Sequence, residues 1–347
     1  MSGRADRRTG GPALLRRAAF PLVTLGLSAA FAFPGLSAAQ DSAAPPRAFS
    51  LTTEKTLYPV RRLAPGVYAV LGDSGKGAEG RPNAGFVVTP GGVVAFGGVA
   101  SPAQARAVIR TIRTRTRLPI RYMVLYAHHP DMMFGAIEFK RAGARIVAHP
   151  DTRVLASEGG LDQMLADWDR VVGLQELLGF EYADVPDRPV PASDTLRLGG
   201  RTIALIHPGS AHSAGDLVIW LPHEGVIFAG DILLEDGGAM VVDGNSSVLL
   251  RTLTFIDSLY PKVVVPGHGR IPGDPRELTR KAREYLTGLR ESMRGAVAKG
   301  TSMRRALDSL PPADEGRPVS YNSRLRRNAV RIYLEMEKES MGVDSEE

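Results

Sequence analysis

Apolar runs of strand length alternate with helical patterns through the first half of the chain. Strand-like runs lie at 66–72, 84–98, 120–127 and 145–150. The second of these predicts a hairpin that turns at Pro90-Gly91-Gly92. Residues 102–116 begin with proline and carry Ala, Val and Ile at helical spacing, and FGAIEFKRAGA predicts another helix. This strand, helix, strand alternation predicts an α/β layered fold.

The second half continues the same alternation. Apolar residues spaced along 161–179 predict one amphipathic helix, with Leu161, Leu165, Trp168, Val172 and Leu178 roughly on one face. Further strands are predicted at 195–207, 217–221, 225–229 and 262–266, and further helices at 247–260, 276–299 and 321–338. The chain ends in an acidic tail.

The first 39 residues have the pattern of a signal peptide. A basic segment precedes an apolar stretch from Ala18 to Phe33, and Ser37-Ala38-Ala39 fits cleavage after Ala39. The stretch is short and Pro34 follows it, which argues against a spanning helix. We therefore expect a periplasmic or secreted protein with no stable membrane anchor after cleavage. An uncleaved membrane tether is the alternative.

These patterns divide the chain into four predicted segments. A signal peptide at 1–39 is followed by a polar linker at 40–60, which contains Pro45-Pro46. The main domain is expected at 61–275. The segment 276–347 is expected to supply C-terminal helices that complete the domain, and then the acidic tail.

Composition narrows the possible chemistry. The 347 residues include no cysteine, so any metal ligands must come from His, Asp or Glu, which favours zinc, iron or manganese. The net charge is +6, but the first 39 residues hold five arginines against one aspartate, a balance of +4 that leaves about +2. This remainder gives no argument for a nucleic-acid partner. A small-molecule substrate is expected, and a protein partner is an open alternative.

Candidate chemistry lies where four predicted strands end. The segments are LYAHHPDMMFGA (125–136), HPGSAHSAGD (207–216), VIFAGDILL (226–234) and VVVPGHGRI (263–271). Each places a His or an Asp among small residues at the turn after a strand, and rigid sheets commonly present metal ligands on such loops. Each segment alone is a weak signal, but the four in this order are much more specific.

Through these four segments, the chain resembles the metallo-β-lactamase superfamily. The similarity runs from about Gly66 to about Gly269 and includes NAGFVVTPGGVVAF and AHSAGDLVIWLPHEGVIFAGD. Within the family it resembles the SoxH-like, quinoprotein-relay type of zinc metallohydrolase. Its C-terminal segment YNSRLRRNAVRIYLEMEKES also resembles the tail of that type. The resemblance implies a four-layer αβ/βα sandwich with a metal centre in a groove at one edge of the two sheets.

The resemblance also shows where this chain departs from its family. The family motif H-x-H-x-D-H falls on residues 127–132, where Ala127 and Met132 replace the first and last histidines. Gly97-Gly98 stand where a supporting aspartate is usual. The metal ligands that the resemblance predicts are His129, Asp131, His212, Asp231 and His268. Asp131 is also the predicted catalytic residue, which would orient the attacking hydroxide or pass its proton.

Each of the family's two metal positions thus lacks one nitrogen ligand. The first would keep His129, His212 and Asp231, and three protein ligands with water still make a catalytic zinc site. We expect one zinc ion. Iron, which two His and one carboxylate can hold, and copper, suggested by Met132-Met133, are alternatives. His128 is expected to face away, because adjacent residues of an extended segment point to opposite sides.

Two functional hypotheses follow. The first is an exported hydrolase that uses metal-activated water on an ester, thioester, lactone or similar bond, with a reduced, single-metal site. The second is a non-catalytic protein of the same fold that serves as a metal-binding or partner-binding component of a periplasmic system. The retained ligands favour the first, and the missing ones favour the second.

Overall fold

Seven strands of the first half form one mixed sheet in the computed structural model of the protein. They are β1 (Val60–Ala64), β2 (Val67–Val70), β3 (Ala84–Thr89), β4 (Gly92–Gly97), β5 (Ile120–Val124), β6 (Arg145–Ala148) and β7 (Arg188–Pro189). Their spatial order is their chain order. Pairing is antiparallel from β1 to β4 and parallel from β4 to β7. The parallel strands are joined by crossovers that contain helices, as parallel pairing requires.

Five strands of the second half form the other sheet. They are β8 (Asp194–Leu198), β9 (Arg201–Ile206), β10 (Val218–Leu221), β11 (Val226–Leu234) and β12 (Val263–His268), in the order β12-β11-β10-β9-β8. Only β11 and β12 run parallel. All nine residues of β11 are buried, so this strand lies in the interior, with Asp231 among its apolar residues.

The helices form two outer layers. They are α1 (Pro102–Arg113), α2 (Pro130–Met133), α3 (Ala136–Arg141), α4 (Gly160–Val172), α5 (Leu174–Leu177), α6 (Ser246–Ser258), α7 (Glu277–Ala298), α8 (Met303–Asp308) and α9 (Val319–Ser340), with a 3-10 helix at Pro150–Ala156. The Ser101 side chain caps α1 by accepting from the Gln104 N–H, and Asn245 caps α6 in the same way. Both helices therefore begin where a polar capping residue satisfies their first N–H groups.

Three apolar clusters show how the layers stack. One packs α1, α3 and α4 on the seven-stranded sheet, another packs α6, α7 and α9 on the five-stranded sheet, and a third fills the space between the sheets. The Phe228 ring crosses that space, 5.1 Å from the Phe96 ring, and a Cβ on Gly85 would come within 2.2 Å of it. The predicted four-layer αβ/βα sandwich is confirmed.

Two of the predicted elements need correction. The single helix at 161–179 is wrong, because Gly173 adopts a φ of 84° that separates α4 from α5, and Leu178 is exposed. The apolar run 195–207 is two strands, since Gly199 and Gly200 turn the chain with φ of 53° and 79°. The helices predicted at 247–260, 276–299 and 321–338 are confirmed as α6, α7 and α9.

The structure describes residues 52–73, 80–97, 99–156, 160–182, 185–235, 238–241, 243–312 and 319–343. They all belong to one compact unit, Pro45–Glu347. The predicted signal peptide and the first part of the linker lie outside the described residues, so the division into four segments stays a prediction. Within the described ranges, no helix is both long and apolar enough to cross a membrane.

Candidate metal centre

The four strand-end segments meet at one place. His129 and Asp131 follow β5, His212 lies between β9 and β10, Asp231 lies within β11, and His268 ends β12. Their ligand atoms form two groups, each within 4.8 Å: His129, His212 and Asp231, and Asp131, Asp231 and His268. All five predicted ligands are thus brought together, and Asp231 belongs to both groups.

The two histidines of the first group are oriented by fixed oxygens. His212 Nδ1 donates to the Met240 carbonyl oxygen at 2.9 Å, and His129 Nε2 lies 2.7 Å from Asp243 Oδ2. The two remaining nitrogens, His129 Nδ1 and His212 Nε2, face each other at 2.8 Å. Metal-binding histidines typically use their second nitrogen to bind a carboxylate or a carbonyl, which fixes the ring and its tautomer. His129 and His212 therefore have the orientation that is typical of metal-binding histidines.

These contacts and the burial of the two rings shift the pKa values of His129 and His212 in opposite directions. Burial, together with the charge of the neighbouring His129, lowers the pKa of His212 to about 3. Burial also lowers the pKa of His129, but the hydrogen bond to Asp243 and the nearby carboxylates outweigh it and raise that pKa above its ordinary value. In the metal-free protein, His129 is therefore the proton donor of the pair and His212 Nε2 is the acceptor.

Asp231 is a buried carboxylate without enough partners. Its Oδ1 accepts no hydrogen bond from the described residues, and lies 3.6 Å from His268 Nε2. Its Oδ2 lies 3.8 Å from His212 Nε2. Burial raises the pKa of Asp231 to about 7, against the opposing charge of His268 and with a contribution from Asp131. An orphaned carboxylate oxygen beside imidazole nitrogens fits a bound cation, since a buried charge needs a partner.

Asp131 has the partner that Asp231 lacks. His268 Nε2 donates to Asp131 Oδ2 at 2.8 Å. Burial raises the pKa of Asp131, but the hydrogen bond and charge of His268 outweigh it and hold the pKa below its ordinary value. Asp131 is therefore the ionised carboxylate of the site.

Three positioning residues were missed at the sequence level. Asp216 accepts from the backbone N–H groups of His212 and Ser213, which fixes the His212 loop. Asn83 donates to the carbonyl oxygens of Pro266 and Gly269, on either side of His268. The signal for both lay in motifs already noted, HSAGD and NAGF.

The third positioning residue comes from α9. Buried Asn328 accepts from the Val241 N–H and donates to the Ala239 carbonyl oxygen, so it grips the chain on both sides of Met240. It also donates to the Tyr285 hydroxyl. The C-terminal helix thereby holds the carbonyl that orients His212.

The two positions at which the resemblance implies additional histidines lie in the apolar core. Ala127 and Met132 are 1% and 0% exposed and belong to the cluster between the sheets. At Gly97 a Cβ would lie 2.4 Å from the Tyr126 ring, so this ring occupies the space beside the position of the supporting aspartate. Gly98 lies outside the described residues. Met132 therefore packs in the apolar core between the sheets.

His128 belongs to neither of the two groups that the five predicted ligands form. Strand β5 ends at Val124, short of the predicted strand at 120–127, so residues 125–129 are not part of the sheet. His128, His129 and Asp243 form a third group whose ligand atoms lie within 4.8 Å. Nothing in the sequence pointed to Asp243. His149 and His207, by contrast, stack on each other at 4.1 Å and belong to none of the three groups.

This fold and these donors define a class of proteins, the αβ/βα sandwiches with a His and Asp metal site at the ends of their strands. A family model described as the metallo-beta-lactamase superfamily matches residues 77–268, more than half of the chain. The chain belongs to the metallo-β-lactamase superfamily. The family and the donor set agree on a metal-binding, hydrolase-like protein.

Individual relatives are distant. The chain is 26% identical over 170 residues to a metallo-β-lactamase type 2 of Bacteroides fragilis, a match covering 47% of this chain and 58% of that protein. It is 32% identical over 83 residues to a hydroxyacylglutathione hydrolase of Rhodobacter capsulatus, covering 24% of this chain and 32% of that protein. A solved metallo-β-lactamase from Pontibacter korlensis aligns with a TM-score of 0.54 at 20% identity, covering 66% of this chain and 99% of that chain. The curated matches span about a third to somewhat over half of these relatives' lengths.

Proposed function

We propose that the protein is an exported metal-dependent hydrolase whose reduced centre holds one zinc ion at His129, His212 and Asp231. The observation that carries this proposal is the convergence of the two oriented imidazole nitrogens with the orphaned Asp231 carboxylate. Two nitrogens and an oxygen suit zinc, and three protein ligands leave a position open for water.

The substrate class is an ester, thioester, lactone or similar bond in a small molecule. A curated relative named for hydrolysing hydroxyacylglutathione and others named β-lactamases support a carbonyl-centred reaction. The SoxH-like subtype is part of the same proposal, and rests on the motifs and the C-terminal tail of the sequence. Export rests on the pattern of residues 1–39.

The residues divide the work. When bound, the zinc ion supplies an activated water at neutral pH and polarises the oxygen of the bond to be cleaved. Asp131 remains ionised beside His268 and accepts the proton that the attacking water gives up. His268 orients Asp131 and neutralises its charge. Asp243 and the Met240 carbonyl keep the His129 and His212 rings turned toward Asp231.

The apolar residues Ala127 and Met132 support a centre with a single ion. A second ion would be held by Asp131, Asp231 and His268, with no histidine at 132. Because Met132 is packed in the core, that position gains no ligand from it. A single ion that uses Asp231 therefore satisfies the Oδ1 atom that accepts no hydrogen bond from the described residues.

One observation favours a second candidate function, a metal-binding or partner-binding protein without catalysis. Ala127 and Met132, which stand where the resemblance implies histidines, pack in the apolar cluster between the sheets. In that case the protein would bind a metal or a protein partner in the periplasm and would not catalyse hydrolysis.

A hydrolysis assay separates the two. The purified protein is tested on a p-nitrophenyl ester, an acylated thiol and a lactone, beside Asp231→Ala and the exposed-histidine control His223→Ala. We expect hydrolysis by the wild type and the control, a fall of at least about 100-fold in Asp231→Ala, and loss on chelation that zinc reverses. Bound metal without hydrolysis would support the non-catalytic function, and full activity of Asp231→Ala would overturn the proposed site.

A further inference from the structure

A third group of donors lies beside the centre, formed by His128, His129 and Asp243. Their ligand atoms lie within 4.8 Å of one another. The family resemblance assigns no metal-binding role to His128 or Asp243, and only His129 is shared with the two groups described above. The group combines two imidazoles with one carboxylate, a donor set that suits zinc and similar divalent transition metals.

His128 is the unusual member of this group. The residue is 6% exposed, and its Nδ1 is buried without a hydrogen-bond partner among the described residues. Leaving a buried polar atom unpaired is costly, so such an atom calls for an explanation. Its edge-on ring contact with His129, at 4.7 Å between centroids, supplies packing but no partner for the nitrogen.

The neighbouring buried histidine shows the contrast. His149 Nδ1 accepts from the Asp151 N–H at 3.3 Å. His207, which stacks on His149, uses its Nδ1 to bind the Asp216 carbonyl oxygen at 2.9 Å. These two rings have partners in the surrounding loops, whereas His128 Nδ1 has no hydrogen-bond partner among the described residues.

Asp243 makes the group accessible. Its side chain is 50% exposed, while its Oδ2 lies 2.7 Å from His129 Nε2. An ion from solution can therefore reach the group from the side of Asp243. To bind, the ion replaces the proton between His129 Nε2 and Asp243, and the two atoms separate to about 3.3 Å, as bonds of about 2.0–2.1 Å in tetrahedral geometry require.

We propose that His128, His129 and Asp243 form an outer binding position for a divalent cation of the zinc class, distinct from the centre at Asp231. The outer position uses His129 Nε2, whereas the centre uses Nδ1 of the same ring. A neutral imidazole offers one nitrogen lone pair, because its other nitrogen carries a proton. Binding a metal at both nitrogens would require loss of that proton, so the two positions compete for His129. If the proposed hydrolase function holds, excess cation therefore inhibits by drawing His129 outward.

The test removes the inner centre and asks what still binds. Asp231→Ala protein, freed of metal, is titrated with Co²⁺ and with Zn²⁺, and binding is followed by equilibrium dialysis and by the visible absorption of Co²⁺. We expect it to bind about one equivalent of added cation, which dialysis against metal-free buffer removes again, and we expect the double variant Asp231→Ala/His128→Ala to lose that binding by at least about 10-fold in affinity. Asp231→Ala/His223→Ala, which also lacks one histidine, keeps it.

A second double variant keeps the test decisive if His128→Ala fails to fold. Asp231→Ala/Asp243→Asn changes a half-exposed side chain and retains its size, and we expect the same loss of Co²⁺ binding. Absence of binding to Asp231→Ala, or binding that neither His128→Ala nor Asp243→Asn weakens, overturns the outer position. Neither result concerns hydrolysis or the metal that the wild type retains, so failure here is distinguishable from failure of the proposed function.

Discussion

His129 Nδ1 lies 2.8 Å from His212 Nε2, and each ring is held from behind by an oxygen of the 240–243 segment. Although the two residues are 83 positions apart in the chain, these ring nitrogens face each other beside the Asp231 carboxylate. In the metal-free protein this contact is a hydrogen bond. The arrangement is the one expected of two ligands of a single ion.

Gly267 leaves the space that Asp231 occupies. A Cβ at this position would lie 2.0 Å from Asp231 Oδ1, so Gly267→Ala must displace the carboxylate. We expect metal affinity to fall by at least about 10-fold, as loss of a supporting contact typically causes. Gly273→Ala, where a Cβ meets nothing within 4 Å, is the matched control. Equal metal affinity of the two variants would contradict the assigned role of Asp231.

Asn328→Ala tests the reach of the C-terminal helix. Removing its amide leaves the Val241 N–H and the Ala239 carbonyl without their buried partner, at a cost of about 1–3 kcal/mol in the free energy of unfolding. We also expect metal affinity to fall by about 10–100-fold, because the Met240 carbonyl then no longer fixes His212. Arg326→Ala, on the exposed side of α9, should change neither. Loss of stability with unchanged metal affinity would limit Asn328 to a structural role.

The pH dependence of stability should reveal Asp231 in the chelator-treated protein. Burial raises its pKa from 3.8 in the unfolded chain to about 7 in the folded one. Between these values the folded state keeps a proton that the unfolded state has lost, so the free energy of unfolding falls as pH rises through this window. Asp231→Asn should make this decline shallower, as urea unfolding at several pH values would measure. Identical slopes for the two proteins would contradict the buried, protonated Asp231.

Restoring the family's histidines should cost stability. Ala127 and Met132 are tightly packed, and overpacking a core costs about 1–3 kcal/mol per site, with a further penalty for the polar imidazole. We therefore expect Ala127→His/Met132→His to unfold at lower urea concentration than the wild type. Met132→Leu, which conserves volume, is the control. A double variant of undiminished stability that binds two metal ions would mean that the two positions are open to ligands.

The sequence predicted the fold and the convergence of the five candidate ligands for the same reason. Strand-end loops follow directly from apolar runs, and the order of the four segments carried the family resemblance. What it could not predict are contacts made across the chain. Asn328 acts on Met240 and Asn83 acts on the turn at His268, and neither has a local pattern that indicates its target.

Local geometry explains the remaining errors. The strand predicted at 120–127 was drawn too long, because it ends at Val124. The helix at 161–179 was drawn through Gly173, whose positive φ breaks it. Both errors concern the residue at which an element ends, which depends on tertiary packing more than on the pattern of apolar residues.

Metal content is the most direct test of the central claim, that Asp231 joins His129 and His212 in holding one resident ion. Purified wild-type protein and Asp231→Ala are dialysed against metal-free buffer and measured by elemental analysis. The account predicts about one equivalent of zinc in the wild type and its loss from Asp231→Ala, because three protein ligands become two. Less than about a tenth of an equivalent of any metal in the wild type, or an equal content in both proteins, would contradict it.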